Sequence, residues 1–260
     1  MQPLQTQWNP ALYCAKHSFV YHYGEDLIDL LQPQANERIL DIGCGAGQLT
    51  DKISKLAKEV IGMDNSSDMI QTATAQFKHI EFLLADAANF SFAKKFDAIF
   101  SNAALHWVTN YKAAIKCMCD CLKEQGRIVV ELGGKGNIKT ILDQIRYCLA
   151  KRDYVRQSQL QPWFFPSISE YTSALEAAGF EVKLAQHFSR PTELADKHTG
   201  IKDWLTMFAG SFFADIPIKI VEQIKDEIQE NLKATCLKND TWYTDYKRIR
   251  IVAVKTEPEN

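Results

Sequence analysis

The feature that most constrains the fold is a short apolar strand, Arg38 to Ile42, that runs without a spacer into Gly43-Cys44-Gly45-Ala46-Gly47. Three glycines at alternate positions remove side chains where the chain must reverse and where a ligand can come close to backbone. Gln48 to Leu56 then has helical periodicity, and Glu59 to Met63 is a second strand closing on Asp64. Strand, glycine turn, helix and strand make a βαβ unit.

The alternation continues. Ser66 sits where a cap belongs, ahead of a helix over Met69 to Phe77. Ile80 to Leu84 reads as a third strand ending at Asp86, and Phe96 to Phe100 as a fourth. Tyr111 to Leu122 is helical, and Arg127 to Leu132 is a fifth strand between Gly126 and Gly133-Gly134. Five strands joined by helices require a parallel sheet covered on both faces. Upstream, an aromatic leader precedes a helix over Tyr23 to Leu31. Downstream, Asn137 to Ala150 and Ser169 to Ala178 read as helices, and Phe180 to Phe188 and Lys247 to Lys255 as strands. The helical insertion Gly200 to Leu237 lies between those two strands, and its apolar first part, Trp204 to Phe213, is suited to covering the edge of a site.

A chain that is 46% hydrophobic and 24% charged can bury one large core, and no linker or repeat interrupts it. We therefore expect a single domain over 1–260, with a helical cap over 1–35, a ligand-binding core over 36–135 and a lid over 200–237. A formal charge of -2 argues against a surface that neutralises phosphates, so no nucleic-acid partner is expected. There is no basic and apolar leader and no run of about 18 apolar residues, which points to a cytoplasmic protein with no membrane partner. Seven cysteines, an odd number spread through helices and strands, do not read as a disulfide framework. In the Cys117, Cys119, Cys121 run the middle thiol points away from the outer two on a helix, so no metal site is expected.

Ligands of open parallel sheets sit beyond the carboxyl ends of the strands, where the glycine turn lies. The spacing is G-x-G-x-G rather than G-x-G-x-x-G, and Asp41 stands two residues before the first glycine. A pyrophosphate gains nothing from an adjacent anion, whereas the ammonium and sulfonium of S-adenosylmethionine (SAM) do. Asp64, 23 residues after Asp41, can accept from both ribose hydroxyls, which suits either SAM or a dinucleotide. Asp86 can accept from the adenine amine, with Met69 and Ala87 against the ring. The plainer alternative is that Asp64 and Asp86 only cap helices.

The run ILDIGCGAGQLT (residues 39–50) resembles the first motif of class I SAM-dependent methyltransferases, and VIGMDNSSDM (60–69) their second. LADA (84–87) and FSNAALHW (100–107) resemble the third and fourth. The resemblance implies a Rossmann-like, doubly wound α/β sheet of seven strands, mostly parallel with an antiparallel last strand, plus the helical insertion. It also implies SAM as cofactor. By this likeness Asp41, Gly43, Cys44, Gly45 and Gly47 line the methionine end, and Asp64 and Asn65 the ribose. Met69, Asp86 and Ala87 lie at the adenine, and Asn102 and Ala103 beneath the sulfonium. Within the class, the Trp8-Asn9-Pro10 leader with Tyr13, the NAALHW segment and the insertion look like the trans-aconitate methyltransferase group. The likeness extends to methyltransferases that esterify malonyl groups on acyl carrier protein, which implies a carboxylate acceptor.

His106, just after the fourth strand, has a side chain suited to general-base work, or it shapes the acceptor pocket. Trp8, Tyr13, His17, Trp107, Trp163 and Trp204 are candidate acceptor contacts, as are Phe164 and Phe165. The commoner role for aromatics at helical spacing is packing. An anionic acceptor would want a guanidinium; Arg152, Arg156, Arg190 and Arg248 lie outside the core motifs. Arg248 and Arg250 alternate with Ile249 and Ile251, as in a strand with one solvated face. The expected function is methyl transfer from SAM to a small molecule, with a carboxylate, another oxygen, a nitrogen or a carbon as acceptor. The alternatives are a non-catalytic SAM-binding protein and a nucleotide-dependent dehydrogenase. A monomer or homodimer is expected.

Overall fold

The computed structural model describes residues 24–257. The chain forms two compact units: a sheet unit of 24–135, Trp163–Phe188 and 248–257, and a helical unit of Gly136–Pro162 and Ser189–Lys247.

The sheet unit opens with α1 (Glu25–Leu31), β1 (Arg38–Ile42), α2 (Gln48–Ser54) and β2 (Glu59–Asp64). α3 (Ser67–Gln76), β3 (Glu81–Leu84) and β4 (Phe96–Asn102) follow, then a 3-10 turn (Leu105–Trp107), α4 (Tyr111–Cys121) and β5 (Leu122–Gly133). α7 (Ile168–Ala177) also belongs to this unit. Ser66, Asn110 and Ser167 cap α3, α4 and α7 through side-chain oxygens, which fixes where each helix begins. With β6 (Phe180–Glu193) and β8 (Thr241–Lys255), the sheet runs in the order β3-β2-β1-β4-β5-β8-β6. Pairs β1–β2, β1–β4, β2–β3 and β4–β5 are parallel, and β5–β8 is antiparallel from Arg127↔Val254 to Gly133↔Arg248. The order reverses between β1 and β4, so their carboxyl ends flank the topological switch point.

β1 is buried along its whole length because both faces of the sheet are covered. Leu40 and Ile42 pack on one face with Ile115 and Met118 of α4 and Tyr171 and Leu175 of α7. Ile39 packs on the other with Leu27 and Leu31 of α1 and Leu49 and Ile53 of α2. Each such aliphatic side chain contributes about 1.5–3 kcal/mol on burial, so the alternation fixes the register. β5 begins earlier than the sequence indicates. Gln125 at φ 62 and a register shift opposite Phe96/Ala98 form an irregular entry that periodicity does not register.

The helical unit holds α5 (Lys139–Ala150), α6 (Val155–Ser158), α8 (Gly200–Phe208), a 3-10 turn (Gly210–Phe213) and α9 (Ile218–Cys236). α5 and α9 are joined through Arg152 Nη2, 2.5 Å from Glu227 Oε2. β6 and β8 run on into this unit beyond the expected Phe188 and before the expected Lys247. The short β7 (Leu237–Lys238) turns into β8 through Asn239 and Asp240, both at positive φ. Among the described residues no helix is long and apolar enough to cross a membrane.

Candidate active site

Where β1 ends, Asp41 is buried and its Oδ2 accepts Thr50 Oγ1–H at 2.6 Å, a bond from the facing turn of α2. Burial, and next the Asp64 charge, push its carboxyl up to about 7. The chain then folds back over β2. Gly43 N–H and Cys44 N–H both donate to Met63 O, at 2.7 and 3.0 Å. Gly43 stands at φ +73, and a Cβ there would lie 2.1 Å from Cβ of Ala104 in the turn after β4. The loops following β1 and β4 therefore abut at the switch point, and only glycine permits it. Gly45, at φ +55, has no described atom within 4 Å of its Cβ position. Gly47 at φ +89 caps α2 against Phe82 and Phe77. The Cys44 side chain turns toward Gly62 and is buried, which holds its thiol well above the usual range, so this residue offers the site its backbone.

Asp64, ending β2, does not cap a helix; Ser66 does that for α3. Asp64 Oδ2 accepts Gly45 N–H at 3.0 Å and Oδ1 accepts Ser66 N–H at 2.9 Å, so the carboxylate braces the glycine turn. Burial raises its pKa against the pull of those donors. With Asn65 N–H also turned to the carboxylate, the two oxygens together still retain acceptor capacity. Asn65 beside it is exposed, and Met69 is buried on α3. Asp86 is exposed, and its Oδ1 accepts Ala88 N–H at 2.8 Å in a tight turn; no helix follows it to be capped. Ala87 packs at the margin of the core. Beyond β3, Asn102 ends β4, and Ala103 holds φ 57 with its N–H on Glu131 O at 2.8 Å. A non-glycine residue in the left-handed region at a strand end is strain of the kind found at ligand sites.

His106 is buried, and its Nδ1 accepts Gly133 N–H at 3.3 Å. Burial, followed by the charge of Arg248, holds the imidazole well below its usual pKa. The ring is therefore neutral with its proton on Nε2, a donor rather than a base. His106 lies 5.8 Å from Trp107 and 5.7 Å from Phe165, ring to ring. Trp163 stacks on Phe165 and meets Trp107 edge to face. Phe164 N–H donates to His106 O at 2.8 Å, tying the Trp163–Phe165 segment to the turn after β4. This brings Trp107, Trp163 and His106 together. Trp204 belongs to the helical unit, buried on α8 with its Nε1–H on Tyr246 Oη at 2.6 Å. Trp8, Tyr13 and His17 lie outside the described residues.

The structure places Thr50 and Arg248 in ways the sequence does not convey. Thr50 is signalled only by its place one helical turn past the glycines. Arg248 looks like a solvated strand residue, yet it is 6% exposed.

Residues 39–126 match the family described as a methyltransferase domain. The chain is 33% identical over 263 residues to a Schizosaccharomyces pombe protein described as an uncharacterized methyltransferase, covering 95% of this chain and 98% of that one. It is 26% identical to a trans-aconitate 2-methyltransferase of Escherichia coli, over 77% of this chain and 78% of the relative. The fold is shared with a Haemonchus contortus phosphoethanolamine N-methyltransferase solved with SAM. That likeness has a TM-score of 0.57 at 15% identity and covers 91% of this chain and 53% of the other. The chain belongs to the class I SAM-dependent methyltransferases, and SAM is its cofactor. The carboxylates of Asp41 and Asp64 and the open position at Gly45 fit a ligand with an ammonium, a sulfonium and a ribose.

Proposed function

We propose that the chain methylates a small-molecule acceptor at a carboxylate oxygen. The observation that carries the cofactor half is Asp64, which braces Gly45 and Ser66 and keeps lone pairs for ribose hydroxyls. Asp41 and the turn at Gly43, Cys44, Gly45 and Gly47 receive the methionine end, with Asn65 beside the ribose. Met69, Asp86 and Ala87 border the adenine, and Asn102 and Ala103 the sulfonium. When bound, SAM supplies a methyl group on a positively charged sulfur, already activated for displacement.

The chain's own work is alignment and exclusion of water. The rings of His106, Trp107, Trp163 and Phe165 supply an apolar wall for the acceptor. A carboxylate is ionised near neutral pH and needs no base. A carbon–oxygen bond forms as the carbon–sulfur bond breaks, leaving an ester and a neutral thioether with no proton to move. The E. coli relative, named a trans-aconitate 2-methyltransferase, supports an acid as acceptor. A cytosolic enzyme built as one domain and acting as a monomer or homodimer completes the proposal.

Calorimetric titration with SAM and S-adenosylhomocysteine (SAH) tests the cofactor half. A panel of mono-, di- and tricarboxylic acids, with SAH formation as readout, tests the acceptor. Turnover of amines or phenols but of no acid would discard the carboxylate reading while leaving methyl transfer intact.

A further inference from the structure

Asp41 and Asp64 both stand at strand ends beside the glycine turn, and they are held in different ways. Asp64 accepts from the main chain, through Gly45 N–H at 3.0 Å, Ser66 N–H at 2.9 Å and Asn65 N–H. Asp41 is 2% exposed, and its carboxylate depends on a side chain, the hydroxyl of Thr50 at 2.6 Å. Thr50 is itself fully buried on α2, three residues past Gly47. A helical threonine ordinarily turns its hydroxyl back to a carbonyl three or four residues earlier. This one gives its proton to the carboxylate, where the bond favours the ionised acid against burial and against the Asp64 charge. Across the sheet Asp41 has Gly62 and Phe100 as register partners, neither of them titratable. The Cys44 thiol in the turn feels the Asp41 charge and stays protonated, and among the described residues no lysine, arginine or histidine acts on Asp41.

We propose that Thr50 is a positioning residue for the cofactor: its hydroxyl keeps the Asp41 carboxylate ionised and fixed for the cationic methionine end of SAM. This rests on the reading above that Asp41 receives that end. A carboxyl so deeply buried, beside a second acid, otherwise keeps its proton, and a protonated acid has little to offer an ammonium or a sulfonium. Thr50 bonds Asp41 whether or not SAM is bound. Its contribution to affinity therefore shows where Asp41 must ionise on binding, and vanishes where Asp41 is already ionised.

The test measures SAM and SAH affinities of the wild type, Thr50→Val and Thr50→Ser by calorimetry from pH 6 to pH 8. Valine nearly keeps the shape and removes the donor; serine keeps the donor and removes the methyl. Thr50→Val is expected to bind both ligands about tenfold more weakly than the wild type at pH 6, with the gap closing to about twofold at pH 8. Titration of the ligand's own amino group cancels in that ratio. Thr50→Ala, which also lacks the donor, is expected to show the same closing gap, and Thr50→Ser to stay within about threefold of the wild type throughout. In an Asp41→Asn background, Thr50→Val is expected to cost less than about threefold. A gap that stays constant across this range, or no gap at all, overturns the proposal, because lost packing weakens binding equally at every pH. If Asp41→Asn removes the wild type's pH dependence while Thr50→Val follows the wild type, Thr50 is dismissed and the Asp41 reading stands. If Asp41→Asn binds SAM as the wild type does at every pH, both fall.

Discussion

Two neighbouring regions at the strand ends bury titratable groups, and their surroundings push them in opposite ways. After β1 and β2, Asp41 and Asp64 have carboxyls raised by burial and, for Asp41, by the neighbouring charge of Asp64. After β4, His106 is pushed down by burial and by Arg248. In the ligand-free protein each site is thus drawn toward neutrality. The difference lies in what relieves them. A cation beside the first would favour ionised carboxylates, whereas the second holds a neutral imidazole within reach of the Arg248 charge. Burial thus disfavours negative charge at the first and positive charge at the second.

The largest blow to this division is geometric. Gly43→Ala places a Cβ 2.1 Å from that of Ala104 at a φ of +73, forcing the loops after β1 and β4 apart. Strain and overpacking together should cost about 2–5 kcal/mol of stability, and SAM binding should disappear with the loop's shape. Thermal melting and calorimetry check both. Unchanged binding would mean that the contact between the loops is not what shapes the cofactor side.

Asp64→Ala should act next most strongly. It removes the acceptor for Gly45 and Ser66 N–H as well as the proposed ribose contacts, so SAM and SAH affinities should both fall by about 10- to 100-fold. Equal losses for the two ligands would sharpen the assignment to the ribose they share. A loss confined to SAM would move Asp64 to the sulfonium instead.

The Asp41 carboxyl, at about 7, makes cofactor binding pH-dependent. A cation favours the ionised form, so below pH 7 the carboxyl must release a proton on binding. SAM affinity should then fall by up to about tenfold per pH unit as the pH is lowered. Stability of the ligand-free protein should run the other way. The folded state holds this proton more tightly than the unfolded chain, so stability present near pH 4 is lost as pH rises toward 7. Calorimetry in buffers of different ionisation enthalpy counts the released proton. Asp41→Asn should abolish the release, and a pH-independent affinity in the wild type would remove Asp41 from the cation's neighbourhood.

How much of this the sequence discloses differs between the same two regions. The cofactor side is local: strand, glycine turn and acidic strand end sit within a few residues of one another, and Gly43, Gly45, Asp41 and Asp64 announce themselves by spacing. What spacing does not convey is that Asp64 holds the glycine turn rather than a helix, because Ser66 two residues on performs the capping. The surroundings of the turn after β4 are assembled from distant segments. Gly133, His106, Phe165 and Arg248 meet only through sheet order and an antiparallel register. The alternation of Arg248 with Ile249 fits a solvated face equally well, until α1 and α2 are seen to cover the face on which Val129 and Val252 also pack. The extra lengths of β6 and β8 are hidden by polar sequences such as Ser189-Arg190-Pro191, where alternating burial rather than an apolar run marks the strand.

The smallest expected effect bears on His106, and it separates a base from a donor. With Nδ1 occupied by Gly133 N–H and the ring held neutral, His106 has no free lone pair with which to take a proton. A glutamine can accept the Gly133 N–H through its carbonyl while its amide still donates, so His106→Gln should lower kcat by less than about tenfold and leave SAM affinity unchanged. At saturating SAM, where the Asp41 effect on cofactor affinity no longer shows, the wild-type pH–rate profile should likewise lack an acidic limb from an imidazole near 6.5, since a base of that pKa would lose activity as it became protonated. The His106→Ala variant, which can neither accept nor donate, should fall further, mainly in KM for an acidic acceptor. Total loss of turnover in His106→Gln with SAM still bound, together with an acidic limb near pH 6–7 in the wild type, would restore the base. It would also show that the neutral site beside Arg248 gains a proton during the reaction.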